Sequence, residues 1–122
     1  MAVDLSMPVL VVHDYPTMGS IVTNVLRQIG FAHIDGVGPG EKALRRLRDK
    51  NYGLVISDDA MAPMSGEELL RAIRARPKTA RMPFLLLTSQ DGVGRVAGRT
   101  HTVAKPFNAQ TLQDKIAAVL QN

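Results

Sequence analysis

Four residues of chemically useful type each close an apolar run: Asp14, Asp58, Thr88 and Lys105. The runs are Pro8-Val9-Leu10-Val11-Val12 before His13-Asp14, Leu54-Val55-Ile56-Ser57 before Asp58, Met82 to Leu87 before Thr88, and Val103-Ala104 before Lys105. Two carboxylates sharing a site repel, and one is driven to protonate unless a cation neutralises them. Asp14 and Asp58 therefore point to a hard, oxygen-seeking divalent ion. Mg²⁺ fits best, because it keeps several waters and leaves room for a phosphoryl group. Lys105 would offer that group a point charge, and the Thr88 hydroxyl a short hydrogen bond. Asp58 is itself a candidate carboxylate nucleophile of the aspartyl-phosphate kind.

These residues converge only if the apolar runs lie side by side. Each run suits a strand buried on both faces, the pattern of a parallel sheet, although periodicity alone does not separate such a run from a buried helical segment. The intervening segments read as helices. Pro16 fits a first turn, Met18, Ile21, Val22, Val25, Leu26 and Ile29 recur at helical spacing, and Gly30 stops the helix. Phe31 to Val37 is a weaker strand near an edge, and Pro39-Gly40 opens a helix with Ala43, Leu44 and Leu47 on one face. Ser65 and Glu68 form a capping-box pattern before Leu69, Leu70 and Ile73, with Pro77 just beyond. The last helix runs from about Ala109 to Leu120, with Leu112, Ile116, Ala117 and Leu120 inward. Strand followed by helix, five times over, predicts an α/β fold: a doubly wound five-stranded parallel sheet with right-handed crossovers. In such sheets ligands bind outside the carboxyl ends of the strands, where Asp58 would stand.

Composition narrows the function. With 122 residues and no linker or repeat, residues 1–122 are expected to form one domain. The absence of cysteine removes disulfides, thiolate nucleophiles and cysteine-ligated zinc. No segment approaches the ~20 apolar residues of a membrane span, and Met1 to Met7 carries Asp4 without a basic cluster. A signal peptide and a membrane partner are therefore not expected, and a cytoplasmic location is. The net charge of +4 is compatible with an acidic partner, but two tyrosines, three phenylalanines and no tryptophan are too few for base-stacking platforms. A solvated basic surface is preferred to nucleic-acid binding.

Taken together, Val11-Val12-His13-Asp14-Tyr15-Pro16-Thr17-Met18, Val55-Ile56-Ser57-Asp58 through Met61, Met64 and Gly66-Glu67-Glu68-Leu69-Leu70, Leu87-Thr88-Ser89, and Val103-Ala104-Lys105-Pro106-Phe107 resemble the receiver domains of bacterial two-component response regulators, in particular the single-domain chemotaxis type. The resemblance spans essentially the whole chain. It implies the flavodoxin-like strand order 2-1-3-4-5, for which receivers are a standing example. It further implies that Asp58 accepts a phosphoryl group from a histidine kinase or phosphotransfer protein. Mg²⁺ would be held by Asp14, Asp58 and the backbone carbonyl of Ala60, and Lys105 would contact the phosphoryl oxygens. Thr88 would move to bond the phosphoryl group, a shift between two populations that changes binding of a downstream target protein. Pro106 matches the family's cis-proline. Enzymatic activity would be limited to self-phosphorylation and self-dephosphorylation, with Ala60 and Gln90 flanking the site, and a monomer is expected.

The chain departs from the family pattern in several places. His13 stands where a second acid is usual, which removes a negative charge and predicts weaker Mg²⁺ binding, with the histidine itself partly buried and not a ligand. Ala62-Pro63 and Ser65 replace the usual residues after the phosphoacceptor. The interval from Thr88 to Lys105 is short by about a helical turn and holds Gly92, Gly94 and Gly98, which disfavour a helix at ~1 kcal/mol each. The fourth helix is accordingly expected to be short or irregular. Thr102 occupies the family's switch-aromatic position, so an aromatic rotamer switch cannot operate.

Two other readings compete with the phospho-switch. His13, the shortened interval and Thr102 fit a degenerate receiver acting as a constitutive interaction module. Arg95 and Arg99, with Asp91 nearby, fit a cyclic-dinucleotide effector acting through residues 91–99. The glycines between Thr88 and Lys105 match neither dinucleotide nor P-loop spacing. His33 and His101 are isolated from other metal ligands. Asp59 reads as a solvent-facing residue.

Overall fold

The computed structural model describes residues 4–89 and 100–121. Its elements in chain order are β1 (Val9–Val12), α1 (Pro16–Ile29), β2 (Ile34–Val37), α2 (Glu41–Asp49), β3 (Leu54–Asp58), α3 (Gly66–Arg74), β4 (Phe84–Thr88), β5 (Thr100–Ala104) and α4 (Ala109–Gln121). All strand pairings are parallel, and the sheet order is β2-β1-β3-β4-β5, as the resemblance implies. The anticipated short helix between β4 and β5 falls on residues 90–99, outside the described residues.

Strand periodicity divides the core into two layers. Val9 and Val11 of β1, Leu54 and Ile56 of β3, and Leu85 and Leu87 of β4 face Val22 and Leu26 of α1 and Leu112, Ile116 and Val119 of α4. The alternate residues Leu10, Val12, Val55, Phe84 and Leu86 face Ala43, Leu44 and Leu47 of α2 and Leu69, Leu70 and Ile73 of α3. Both faces of β1, β3 and β4 are thus covered, which is why these strands read as unbroken apolar runs.

Local signals set most of the boundaries. Pro16 opens α1, and Gly30 closes it at φ 123°, a conformation that disfavours any side chain. Ser65 and Glu68 make the anticipated capping box: Ser65 Oγ accepts from Glu68 N at 3.1 Å, and Glu68 Oε1 accepts from Ser65 N at 2.9 Å. Asn108 begins α4 by accepting from Thr111 N at 2.8 Å.

Several expectations need correction. β5 covers five residues rather than Val103-Ala104 alone, and each of them pairs with β4. Its Thr-His-Thr start carries no apolar run because it flanks the sheet with a single neighbour and is only partly buried. β4 begins at Phe84, since Met82 and Pro83 belong to the approach, and it includes Thr88. β2 begins at Ile34, while Phe31 is buried under the end of α1, its N–H donating to Leu26 O at 3.0 Å. In α4 it is Val119 that is fully buried, with Ala117 and Leu120 only partly so. Ile21 of α1 faces solvent.

Candidate functional site

Sheet register brings three of the four sequence candidates to one edge. Ser57 pairs with Val12, Asp58 with Leu87, and Thr88 with Ala104, so the carboxyl ends of β1, β3, β4 and β5 lie in line. Adjacent strands are about 4.8 Å apart. The Lys105 N–H donates to Thr88 O at 2.9 Å, extending this pairing one step past β5. Asp14 follows two residues beyond Val12 at the same edge and is exposed.

Asp58 is buried, and Lys105 Nζ donates to its Oδ1 at 2.6 Å. Their side chains are 6% and 28% exposed, so this is a largely desolvated, charge-assisted contact rather than a surface pair. Such a pair contributes little net stability because desolvation opposes the attraction, but loss of one partner strands the other charge. Oδ1 also accepts from Asp59 N at 3.1 Å. Among the described residues, no hydrogen bond engages Oδ2. Thr88 is buried, and its hydroxyl donates to Ser89 O at 3.1 Å, one strand away from Asp58. The Lys105-Pro106 peptide bond is cis, as the resemblance implies, and so is Ala62-Pro63.

The donor set can be tested against a metal. Among the described residues no group of three or more His, Cys, Asp or Glu is arranged to hold an ion. What is present is a pair of carboxylates, Asp14 and Asp58, with the carbonyl of the exposed residue Ala60, which no hydrogen bond among the described residues occupies. So sparse a set suits Mg²⁺, which retains waters and takes one or two carboxylates. It does not suit Ca²⁺ or zinc, which need fuller cages.

His13 is not directed at these groups. Its N–H donates to Val37 O at 3.1 Å, and its ring is seated between α1 and β2. A Cβ placed on Gly19 would lie 2.5 Å from His13 Cδ2, and one on Gly36 would lie 3.4 Å from Nε2. Its Nδ1 is buried without a hydrogen-bond partner. The ring occupies space that two glycines leave open, a seat no local sequence pattern reveals.

Sequence reasoning missed two further residues. Asp59, read as solvent-facing, is half-buried, and its Oδ1 accepts from Glu67 N at 3.1 Å while its carbonyl accepts from Gly66 N at 3.0 Å. It fastens the start of α3 to the end of β3. Gly66 is required there, since a Cβ would collide with the Asp58 carbonyl and lie 2.9 Å from Asp59 Cα. The only signal for either was the proximity of a second acid and a glycine to the capping serine. Thr102 lies half-buried on β5, on the face opposite Val103. Asp91, Arg95 and Arg99, the basis of the cyclic-dinucleotide reading, and Gln90 lie outside the described residues.

Comparisons with known proteins converge on one family. The model of the response regulator receiver domain matches residues 9–117. The chain is 34% identical over 120 residues to the chemotaxis protein CheY of Pseudomonas aeruginosa, covering 94% of this chain and 97% of that protein. It is 32% identical over 121 residues to the chemotaxis protein CheY-3 of Vibrio cholerae, covering 95% and 93%. Among solved structures it superposes on the chemotaxis response regulator CheY4 of Vibrio cholerae with a TM-score of 0.81 at 26% identity, covering 94% and 99%. The receiver domain of a Pseudomonas aeruginosa sensor histidine kinase, solved with a magnesium ion coordinated in its active-site cleft, shares the fold with a TM-score of 0.83 at 24% identity, covering 96% and 99%. With a family match over nearly its full length and the strand order observed independently, the chain belongs to the response regulator receiver domains of two-component signalling.

Proposed function

We propose that the chain is a single-domain, CheY-like response regulator that is phosphorylated on Asp58 with Mg²⁺ and thereby switches a protein–protein interaction. The observation that carries this reading is the 2.6 Å contact from Lys105 Nζ to Asp58 Oδ1 at the sheet edge. It holds one oxygen of a buried carboxylate while the other is unengaged among the described residues. That second oxygen is the nucleophile. It forms the new P–O bond as the P–N bond of a phosphohistidine donor breaks and the electron pair leaves with the imidazole. Mg²⁺, held by Asp14, Asp58 and the Ala60 carbonyl, would supply charge neutralisation of the phosphoryl oxygens. Lys105 passes from Oδ1 to those oxygens, and Thr88 turns its hydroxyl from Ser89 O toward the same group. The Lys105 N–H to Thr88 O bond ties these two residues together, so movement at one is felt at the other.

The donor is a histidine kinase or phosphotransfer protein, the output is contact with a target protein, and the location is cytoplasmic. No helix among the described residues is long and apolar enough to cross a membrane. The chemotaxis relatives support this class of role, and the magnesium-bound receiver supports the choice of ion. The seating of His13 away from the carboxylates favours a second reading, a degenerate receiver that binds its partner constitutively.

Two-dimensional NMR during titration with Mg²⁺ and then beryllofluoride separates the two. The switch requires shifts at Asp14, Asp58, Thr88 and Lys105 that vanish in Asp58→Asn. Unchanged spectra at saturating Mg²⁺ and beryllofluoride would establish the degenerate reading instead.

A further inference from the structure

The first turn of α3 leaves the N–H groups of Gly66, Glu67 and Glu68 without an intrahelical acceptor. Glu68 N donates to the capping serine, reaching Ser65 Oγ at 3.1 Å. The other two go to one residue outside the helix: Glu67 N donates to Asp59 Oδ1 at 3.1 Å, and Gly66 N to Asp59 O at 3.0 Å. Asp59 O also accepts from Met61 N at 2.9 Å. Asp59 is therefore held from the α3 side by its side chain and its carbonyl together.

On the β3 side the Asp59 N–H is shared. It donates to Leu87 O at 2.9 Å, continuing the pairing of β3 with β4, and to Asp58 Oδ1 at 3.1 Å. The same peptide is fixed at its other end, where the fully buried Ser57 hydroxyl donates to Asp58 O at 2.9 Å. The direction of this N–H is thus set by the sheet and by the α3 turn, not by the carboxylate. That fixed direction decides which carboxylate oxygen is free. A half-rotation about χ2 exchanges the two oxygens of an aspartate, and that torsion is broad and two-fold. Lys105 does not resist the exchange, because an ammonium on a flexible stem follows whichever oxygen is nearer. A backbone N–H held in its peptide plane does not follow. It keeps Oδ1 occupied, and Oδ2 has no partner among the described residues.

We infer that Asp59 is a positioning residue for the reaction at Asp58: tethered to α3 through its side chain, it holds the amide that keeps Oδ1 engaged and leaves Oδ2 to the phosphoryl donor. The inference rests on the phosphorylation reading and adds to it a residue that acts through Asp58.

The assay is phosphorylation of the full chain by phosphoramidate with MgCl₂, followed by phosphate-affinity gel electrophoresis. Oδ2 forms the P–O bond as the P–N bond breaks, and the protonated nitrogen leaves as ammonia. Misplacing a reacting atom by about 1 Å costs up to ~100-fold, so Asp59→Ala, which leaves Glu67 N without its acceptor, is expected to slow phosphorylation about tenfold. Asp59→Asn keeps an oxygen acceptor in the same place without the charge and is expected to match the wild type. Asp59→Glu keeps the charge but displaces it by one methylene, and is expected to be slower than Asp59→Asn; this pair carries the test should the alanine variant not fold. Ile73→Val weakens the buried face of α3 without touching these bonds and is expected to leave the rate unchanged. In metal-free protein the Asp58 carboxyl carbon resonance is expected to move in Asp59→Ala but not in Asp59→Asn or Ile73→Val. A wild-type rate in Asp59→Ala, Asp59→Asn as slow as Asp59→Ala, or equal slowing in Ile73→Val would overturn the assignment while leaving the phosphorylation reading intact. A wild type inert to phosphoramidate would overturn the phosphorylation reading itself, and the role of Asp59 with it.

Discussion

Gly19→Ala is a substitution whose effect should change sign with the residue at position 13. Gly19 lies inside α1, where glycine is less favourable than alanine by about 0.5–1 kcal/mol, so propensity alone favours the variant. The added methyl would stand 2.5, 2.6 and 2.9 Å from Cδ2, Nε2 and Cε1 of His13, well inside van der Waals contact. Retreat is restricted, since the ring also rests over Gly36 and its Nδ1 is buried. Overpacking of this kind costs about 1–3 kcal/mol. The net effect in the wild-type background is therefore destabilisation by roughly 0–2.5 kcal/mol. With His13→Ala the obstruction is gone, and Gly19→Ala should stabilise by up to about 1 kcal/mol. Urea unfolding of the wild type, both single variants and the double variant closes a thermodynamic cycle, with an expected coupling of about 1–3 kcal/mol. The same free energy change for Gly19→Ala in both backgrounds would refute the seating of His13 against Gly19. It would also reopen the possibility that the ring turns toward the carboxylates.

Three further outcomes test other parts of the structure. Replacing His13 with Asp restores a second acid at the edge and should tighten Mg²⁺ binding by about tenfold at moderate salt, as read by NMR titration; unchanged affinity would place position 13 outside the field of the ion. Ser65→Ala removes one half of the capping box on α3 and should cost about 1 kcal/mol in urea unfolding, whereas Ser65→Asp should restore most of it. The hydrogen bonds from Lys50 and Tyr52 hold the Asp35 carboxyl below the usual carboxylate range. Because its folded value is depressed, its contribution is present above about pH 4 and is lost as pH falls through the folded value. Asp35→Asn should therefore flatten the acid limb of the stability–pH curve below about pH 4, and an unaltered limb would count against the cluster.

Legibility followed the range of the interaction that fixed each feature. β1, β3 and β4 were readable because burial on both faces writes an unbroken apolar run into the chain, and the Ser65 box because its partners are three residues apart. Asp58, Thr88 and Lys105 could be picked out because each ends such a run, and a parallel sheet aligns run ends regardless of their separation in sequence. β5 was only partly legible, for an edge strand with one neighbour needs few apolar residues. The seat of His13 was hidden for a different reason. Three residues, His13, Gly19 and Gly36, define it, and only the packing of α1 and β2 brings them together.

The same distinction governs the carboxylate edge. Asp59 and Gly66 are not themselves candidate reactants, although both lie against Asp58, and neither belongs to a periodic pattern. Yet the Asp59 side chain accepts from Glu67 N, and Gly66 admits the Asp58 carbonyl at a distance no other residue would allow. Asp58 is thus linked through Asp59 to the first turn of α3. A disturbance of that turn should reach Asp58 before it reaches the core. For this reason Ser65→Ala is a test of the site as well as of the helix: the loss of stability should be accompanied by shifts of the Asp58 and Asp59 amides. Amides that stay in place while α3 is weakened would mean that β3 alone positions the carboxylate.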